Sequence, residues 1–265
     1  MPFSVKFDPI LIVDIGNTNI VCAKFEKGQP QELHRIQTDP ACSVDDYHNI
    51  FLSALPEYCN INYVAIGSVV PRVEELVSAM FAEYSRAQVF HITGISPIGL
   101  KYLIKNPRVV GADLVANAFA AWKLYQQSTL VVDLGTATTI QLITDDGLYA
   151  GVVIIPGMKT SAANLFEHAA LLSEVELRAP HCLIGNNTED ALLSGIVRGH
   201  ALMIKAFVEQ IEQQYSEYAP YSVILTGGLA SVIQGLLPDS YIIDKELTLK
   251  GLYLAAQTIL EQAQE

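Results

Sequence analysis

One pattern of residues occurs twice in this chain and limits what it can fold into. An apolar run is followed by Asp, Gly and small hydroxyl or amide residues, and then by a second apolar run. The two copies, at 10–19 and 130–139, contain the loops Asp14-Ile15-Gly16-Asn17-Thr18-Asn19 and Asp133-Leu134-Gly135-Thr136-Ala137-Thr138-Thr139. Such apolar runs are typical of strands, and the repetition predicts two related α/β halves.

Each loop has the composition of a phosphate-binding turn. Glycine permits a tight turn with accessible backbone N–H groups, and Thr and Asn add further donors for phosphate oxygens. The carboxylates of Asp14 and Asp133 can hold a cation beside those phosphates. A single copy would be more typical of an ordinary hairpin with an Asp-Gly type turn. Two copies in the same order favour phosphate binding, with one nucleotide gripped between two related domains.

Composition restricts the function classes. Hydrophobic residues make up 51% of the 265 residues, enough for a large core, and the net charge of −12 argues against nucleic-acid binding. The N-terminus has no secretory signal pattern and no apolar run reaches the ~20 residues of a membrane span, so we expect a cytoplasmic protein without a membrane partner. The four scattered cysteines form no metal or disulfide pattern.

Periodicity predicts the order of elements. In the first half we expect strands at 10–14, 19–26, 31–37, 63–70 and 88–92, with helices at 45–55 and 71–84. After an irregular stretch at 94–110 and a helix at 113–127, the second half restarts. There we expect strands at 129–134, 138–144, 149–155 and 221–225, and helices after Pro156, at 188–215 and at 249–263.

A third strand ends in a glycine pair at Gly227-Gly228. Such a turn lets a flat ligand, such as an adenosine, lie against bare backbone. Two Asp-Gly loops followed by this turn resemble the actin, sugar-kinase and heat-shock ATPase superfamily. The resemblance implies two ribonuclease H-like domains with a nucleotide cleft between them. We place them at 1–115 and 116–265, with a C-terminal helix that can pack back on the first.

Within that superfamily, the chain resembles the type III pantothenate kinases over nearly its whole length. Any one of the matching segments would be a weak signal, but together and in this order they are specific. Besides the two Asp-Gly loops, they are Asn106-Pro107-Arg108-Val109-Val110-Gly111-Ala112-Asp113, Ile155-Pro156-Gly157-Met158, Gly185-Asn186-Asn187-Thr188 and Thr226-Gly227-Gly228. The resemblance implies ATP-dependent phosphorylation of pantothenate, the first step of coenzyme A synthesis, in a homodimer.

The same resemblance implies roles for individual residues. Asp113 corresponds to the general base, and Asp133 to the residue that holds potassium or ammonium. The residues expected to contact ATP are Asp14, Ile15, Gly16, Asn17, Thr18, Asn19, Ile20, Val21 and Thr136, joined by Gly227 and Gly228 of the third turn. Those expected at pantothenate are Tyr102, Gly111, Ala112, Asp113, Leu114 and Thr188.

Three of these residues have roles that the residues themselves suggest. Asp14, at the end of an apolar strand, is suited to hold Mg²⁺ through water. Asp113 precedes a clear helix, so it is either an N-cap or, if it faces a substrate hydroxyl, a general base. Thr188 is either the cap of the following helix or a substrate ligand, and the two roles are compatible.

The match departs from the family at the acceptor site. In the family an Arg follows the Asp of the Gly-x-Asp turn and binds the pantothenate carboxylate, whereas this chain has Leu114. A family Tyr aligns with Ile104, and Tyr102 would lie on the same side of an extended segment. Another cation could compensate, the enzyme could bind pantothenate weakly, or the acceptor could differ; the candidate cations are Arg108, Lys105 and Lys159.

Two other functions therefore stay open from the sequence. One is a kinase of the same fold that acts on another small alcohol, such as a sugar. The other is a nucleotide-binding regulator without turnover, like the Bvg accessory factor proteins that the chain also resembles. The Asp at 113 favours an enzyme, and Leu114 keeps the regulator open.

Overall fold

The computed structural model describes residues 6–169 and 172–264. Within these residues the chain divides into two compact units. One consists of the residues up to Leu124 together with those from Leu247 onward, and the other of Tyr125–Glu246. Each unit contains its own sheet and its own apolar core, and each is described separately below.

The sheet of the first unit has the strand order β3-β2-β1-β4-β5. β1 pairs antiparallel with β2 and parallel with β4, and β4 pairs parallel with β5. The elements up to the second unit are β1 (Ile10–Ile15), β2 (Asn19–Glu26), β3 (Gln29–Gln37), α1 (Val44–Ala54), β4 (Tyr63–Ser68), α2 (Pro71–Tyr84), β5 (Gln88–Ile92), β6 (Lys101–Tyr102) and α3 (Ala112–Tyr125).

The second unit repeats this arrangement. Its strands lie in the order β9-β8-β7-β10-β11, with β7 antiparallel to β8 and parallel to β10. The elements are β7 (Ser128–Leu134), β8 (Ala137–Ile143), β9 (Leu148–Pro156), α4 (Met158–His168), α5 (Thr188–Leu193), α6 (Gly199–Gln214), β10 (Tyr221–Thr226), α7 (Ala230–Ile233) and β11 (Ile242–Ile243). The equal strand order confirms the predicted duplication of an α/β unit.

Local signals explain where the helices of the first unit begin. Ser43 caps α1, because its hydroxyl accepts a hydrogen bond from the Asp46 N–H while the Asp46 carboxylate accepts one from the Ser43 N–H. Pro71 occupies the first turn of α2, where a missing N–H costs no helical hydrogen bond. Both helices agree with the sequence prediction to within one residue at each end.

Each sheet buries one face against helices of its own unit. In the first unit, Val13 and Ile66 pack with Phe51 of α1 and Phe81 of α2. In the second unit, the side chains of β7 and β8 that point to the other side of the sheet from Asp133 pack against α6 and its neighbours; they are Leu130, Val132, Leu134, Ile140 and Leu142. This alternation leaves Asp133 on the opposite face.

The C-terminal helix α8 (Leu247–Gln262) belongs to the first unit. Its Tyr253 stacks on Phe25 with ring centroids 4.7 Å apart and donates a hydrogen bond to Asp8 Oδ1 at 2.7 Å. The division places α3 in the first unit as well, and so falls later than the expected boundary between 115 and 116. The ranges 1–115 and 116–265 stay a prediction as folding domains.

The long helical stretch between β9 and β10 contains one turn that is not α-helical. The turn Ser194–Arg198 between α5 and α6 is a π-helix, so that Thr188–Gln214 forms one continuous helical run. Among the described residues, this run is the one helix long and apolar enough to cross a membrane, with a mean hydropathy of 1.4. Length and composition alone are a weak indication, because core helices of globular proteins share them. The expected lack of a membrane partner stays a prediction.

Several elements lay outside the sequence prediction. β6 and β11 have two residues each and α7 has four, too short for a periodic pattern. The four cysteines are free thiols, of which Cys22 is buried and the others are half-buried.

Candidate active site

The first Asp-Gly loop lies between β1 and β2, and hydrogen bonds within the turn and from Thr38 fix its backbone. The Gly16 N–H donates to the Asn19 carbonyl at 3.0 Å, which closes the turn. Thr38, which follows β3, donates its N–H to the Thr18 carbonyl at 3.1 Å and its hydroxyl to the Gly16 carbonyl at 2.7 Å. Asn17 and Thr18 are exposed at the tip. The loop is therefore a fixed turn with an accessible tip, as a phosphate site requires.

The expected ATP-contacting run 14–21 contains two kinds of residue. Ile15 and Ile20 are fully buried in the core, so they can offer a nucleotide only backbone groups. Asp14 is half-buried at the end of β1. In the register of the sheet it pairs with Val21 of β2 and Gly67 of β4, neither of which has a polar side chain.

Asp113 lies at the same end of this sheet as Asp14. The Val69 N–H donates to the Ile15 carbonyl at 3.0 Å, so the chain after β4 lies beside the end of β1. A β-carbon on Gly111 would be 3.3 Å from Val69 Cγ1 and 2.5 Å from Asp113 Oδ1, which shows that this carboxylate folds over Gly111 next to Val69. The first unit thus brings Asp14, its loop and the Gly111-Ala112-Asp113 turn together.

The structure assigns Asp113 to the first turn of α3 and not to the cap. α3 begins at Ala112, and the Asp113 carboxylate accepts a hydrogen bond from the Leu114 N–H at 2.7 Å. Burial raises the pKa of this carboxyl, and its backbone hydrogen bonds oppose part of that increase. The N-cap interpretation of Asp113 is therefore wrong. A raised carboxyl pKa is typical of a residue that accepts a proton at a functional site.

The second Asp-Gly loop has the same construction in the other unit. The Gly135 N–H donates to the Ala137 carbonyl at 3.1 Å. The Thr160 hydroxyl of α4 donates to the Thr136 carbonyl at 2.7 Å, as that of Thr38 does to Gly16 in the first loop. Thr136 and Ala137 are exposed at the tip. Both loops are thus closed by a glycine N–H and have an exposed tip. In each, a threonine hydroxyl, Thr38 or Thr160, bonds a loop carbonyl; we call these two residues the threonine braces.

The glycine turn after β10 approaches Asp133 closely. Gly227 has a φ of +86°, and a β-carbon there would overlap Asp133 Oδ1 and come within 2.6 Å of the Leu134 amide nitrogen. Glycine is required for both reasons. Gly228 is exposed, with open space around it. The second unit therefore joins Asp133, the Thr136 loop and the Gly227-Gly228 turn at one end of its sheet.

A cavity of about 920 Å³ opens in the second unit between α4 and the helical run that follows. Its polar lining includes Thr160, Asn164, Thr188 and His200, and its apolar lining includes Leu165, Leu192, Ile196 and Met203. Thr188 is exposed at the start of α5, while the cap is Asn187, whose side chain accepts from the Asp190 N–H at 2.9 Å. The cap role suggested for Thr188 is therefore wrong, and its hydroxyl borders the cavity.

His200 connects this cavity to the second loop. Its side chain is 5% exposed, and its Nε2 lies 2.8 Å from the hydroxyl of Thr138, two residues after Thr136. Burial lowers the pKa of His200, so the imidazole is held neutral. The sequence offered no recognisable partner for this histidine, because Thr138 is distant in the chain.

The residues expected at pantothenate lie in both units. Tyr102 and Leu114 are half-buried in the first unit, and burial raises the pKa of Tyr102 to about 12. Lys105 and Arg108 are exposed in the segment between β6 and α3. Lys159 is exposed in α4 of the second unit. Of the three candidate cations, Lys105 and Arg108 therefore share a unit with Asp113, and Lys159 does not.

No cluster of three His, Cys, Asp or Glu side chains suited to a metal occurs among the described residues. This finding is compatible with ions bound by one carboxylate and neutral oxygens.

Sequence comparison identifies relatives of the whole chain. Residues 10–210 match the family model of type III pantothenate kinase. A type III pantothenate kinase of Desulfosudis oleivorans is 36% identical over 248 residues, which are 92% of this chain and 96% of that protein.

Solved structures share the fold at low sequence identity. A Campylobacter jejuni protein described as a Baf family transcriptional activator has a TM-score of 0.62 and 20% identity, with 96% of this chain and all of that chain covered. MreB 5 of Spiroplasma citri, solved with AMPPNP bound, has a TM-score of 0.53 and 10% identity, with 97% and 98% covered. These likenesses confirm the actin-like ATPase fold.

Proposed function

Because the chain belongs to the type III pantothenate kinase family, it transfers a phosphoryl group from ATP to pantothenate in coenzyme A synthesis, and we propose how its residues divide this work. The family sets aside the sugar kinase and the regulator without turnover. The observation that carries the proposal is the position of Asp113, a desolvated carboxylate at the same sheet end as the first loop.

Asp113 is the proposed general base. It accepts the proton of the pantothenate hydroxyl while that oxygen forms its bond to the γ-phosphorus and ADP leaves. The raised pKa makes it a stronger base than an ordinary aspartate, and the Leu114 N–H holds one carboxylate oxygen in place. Phosphoryl transfer otherwise depends on positioning and on neutralising charge, which the two loops supply.

The exposed tips of the two loops are proposed to bind the ATP phosphates, and the Gly227-Gly228 turn to lie against the adenosine. Their threonine braces keep the loop carbonyls pointing away from the bound anion. This arrangement leaves backbone N–H groups and small polar side chains for phosphate oxygens.

Two ions are proposed, and the residues fit both. Asp14 lies half-buried at the end of β1 beside the first loop, where its carboxylate can hold Mg²⁺ through water molecules that the ion keeps. Asp133 lies between two threonine-bearing strands, which suits a monovalent cation, potassium or ammonium. When bound, such ions neutralise charge on the phosphates.

The acceptor site is proposed to use Tyr102, the Gly111-Ala112-Asp113 turn and Thr188. Leu114 cannot supply the charge-assisted contact to the pantothenate carboxylate that an Arg would make. Arg108 and Lys105, in the same unit and exposed, are the proposed substitutes. If neither contributes, the enzyme binds pantothenate weakly.

A homodimer in the cytoplasm is proposed from the family. Exposed apolar side chains between β9 and β10 offer a surface for it, namely Leu165, Leu183, Ile184 and Leu202. Light scattering coupled to size-exclusion chromatography measures the mass in solution. A monomer at enzyme concentrations used in assays would refute the dimer.

Purified protein with ATP, Mg²⁺, K⁺ and pantothenate tests the function. We expect ADP release that depends on pantothenate, with a phosphorylated product identified by its mass. A panel of sugars provides the control. ADP release with a sugar and none with pantothenate would overturn the assignment.

A further inference from the structure

Two threonine hydroxyls flank Asp133 on one face of the second sheet. In the register, Asp133 of β7 pairs with Thr139 of β8 on one side and with Thr226 of β10 on the other. Directly paired residues point to the same face of a sheet. The opposite face carries Leu134 and Leu225, which pack in the core of this unit. Asp133 therefore lies between two threonines on this face of the sheet.

Both hydroxyl oxygens are buried and have no hydrogen-bond partner in the structure. Thr139 is 9% exposed and Thr226 is 1% exposed. Gln141 lies on the same face, one cross-strand pair further from the loop, and both polar atoms of its buried amide also have no partner. Buried polar groups are nearly always satisfied, so unsatisfied ones that surround a carboxylate indicate a ligand or ordered water.

The matching position in the first unit has no such oxygens. There Asp14 pairs with Val21 and Gly67 in the same strand positions. The hydroxyls are thus a feature of the second loop alone and not of the shared fold.

The donor set indicates the class of ligand. One carboxylate and two neutral hydroxyl oxygens suit a hard cation of low charge. Mg²⁺ keeps several of its waters and would not use dry hydroxyls in this way, and Ca²⁺ sites are richer in carboxylates. We propose that Thr139 and Thr226 are ligands of the monovalent cation at Asp133 and set its preference for potassium over sodium; this inference rests on the cation role proposed for Asp133.

The test measures the melting temperature of the protein with bound ADP in potassium, sodium and choline chloride at equal ionic strength. The wild type should be stabilised most by potassium. Thr139→Val and Thr226→Val should fold, because valine has the shape of threonine, and each should lose the potassium-specific increase. Thr139→Ser, which keeps a hydroxyl, should restore part of it.

Thr129→Val is the matched control, since Thr129 is a buried threonine of β7 whose hydroxyl already bonds the Gln127 carbonyl at 3.0 Å. It should keep the full potassium effect. Asp133→Asn separates the two proposals. Loss of the effect in Asp133→Asn and its retention in both valine variants would overturn the threonine ligands alone. No potassium effect in the wild type, or an unchanged one in Asp133→Asn, would overturn the cation role of Asp133 together with them.

Discussion

The two units use one strand order for two loops, and they differ in what surrounds the Asp of each loop. Both loops close on a glycine N–H and have a carbonyl bonded by a threonine hydroxyl, Thr38 in the first unit and Thr160 in the second. The Asp of the first loop has Val21 and Gly67 beside it, whereas Asp133 has two threonines. The shared backbone therefore gives both units a turn of the same form, and we propose that the neighbouring side chains determine which ion each loop holds.

The units also differ between their third and fourth strands. The first unit has one α-helix there, α1 of 11 residues. The second unit has α4 and the helical run Thr188–Gln214, which includes the π turn, around a cavity of about 920 Å³. Helical π turns are frequent at functional sites. The proposed base, Asp113, lies in the first unit. The second unit contains the cavity, whose lining residues Thr160 and His200 bond to the loop of their own unit.

The largest effect is expected from Asp113→Asn, which removes the carboxylate that we propose as the general base. Turnover should fall by roughly 10²–10⁴-fold, in every salt. Because burial raises the pKa of Asp113, the folded carboxyl holds its proton to higher pH, and its ionisation costs stability as pH rises through that interval. The asparagine variant should therefore melt no lower than the wild type at neutral pH.

Asp239→Asn, at an exposed position, is the control for Asp113→Asn and should keep wild-type turnover. The wild-type pH profile of kcat/KM should lose activity below an apparent pKa above that of an ordinary aspartate. An active Asp113→Asn would assign the chemistry to another residue.

Gly227→Ala tests the close approach of the glycine turn after β10 to the Asp133 carboxylate. Alanine at a φ of +86° costs about 1–2 kcal/mol, and its methyl group would also displace the Asp133 carboxylate. We expect a lower melting temperature and weaker ATP binding. Gly228→Ala, with open space around it in the protein, should keep the wild-type melting temperature. Equal effects of the two substitutions would contradict the close approach.

Leu114→Arg tests the acceptor site of the first unit. If the site lacks a cation, a charge-assisted hydrogen bond of roughly 1.5–3 kcal/mol should lower KM for pantothenate about 10- to 150-fold, with little change in kcat. If Arg108 or Lys105 already binds the carboxylate, Leu114→Arg should raise KM, and Arg108→Met or Lys105→Met should raise it more. Failure of both the wild type and Leu114→Arg to use pantothenate would reject this acceptor.

A smaller effect is expected from the buried His200 of the second unit. Its lowered pKa keeps it neutral when folded, so the unfolded chain takes up the proton first as pH falls below about 6.5. Melting temperature should therefore fall between about pH 7 and pH 5, and less steeply in His200→Gln, which can still bond Thr138. Replacing the exposed His181 with Gln should leave the wild-type slope. If melting temperature fell equally steeply with pH in all three proteins, His200 would not be the group responsible for the loss of stability.

The strands and long helices could be predicted because the spacing of apolar residues along each segment matches the face that it buries. β1, β4 and β7 are apolar runs, and α2 begins at a proline. Capping is less certain from sequence, since Asn187 and Thr188 are both good caps and the structure uses the first. The cap was also one of the two interpretations of Asp113, which lies inside the first turn of its helix.

The ion environment could not be predicted at all. Thr139 and Thr226 come to either side of Asp133 only through strand register, and β10 lies far along the chain from β7. A one-residue shift in either pairing would point those hydroxyls to the other face. The same limit applies to the bond between His200 and Thr138.

A reciprocal ion titration tests most directly whether the two loops hold different ions. The rate of pantothenate phosphorylation is measured against Mg²⁺ at fixed K⁺, and against K⁺ at fixed Mg²⁺, for the wild type, Asp14→Asn and Asp133→Asn. We expect Asp14→Asn to need more Mg²⁺ with its K⁺ requirement unchanged, and Asp133→Asn to need more K⁺ with its Mg²⁺ requirement unchanged. The account would be contradicted if both variants shifted the same ion, or if each shifted the ion assigned to the other.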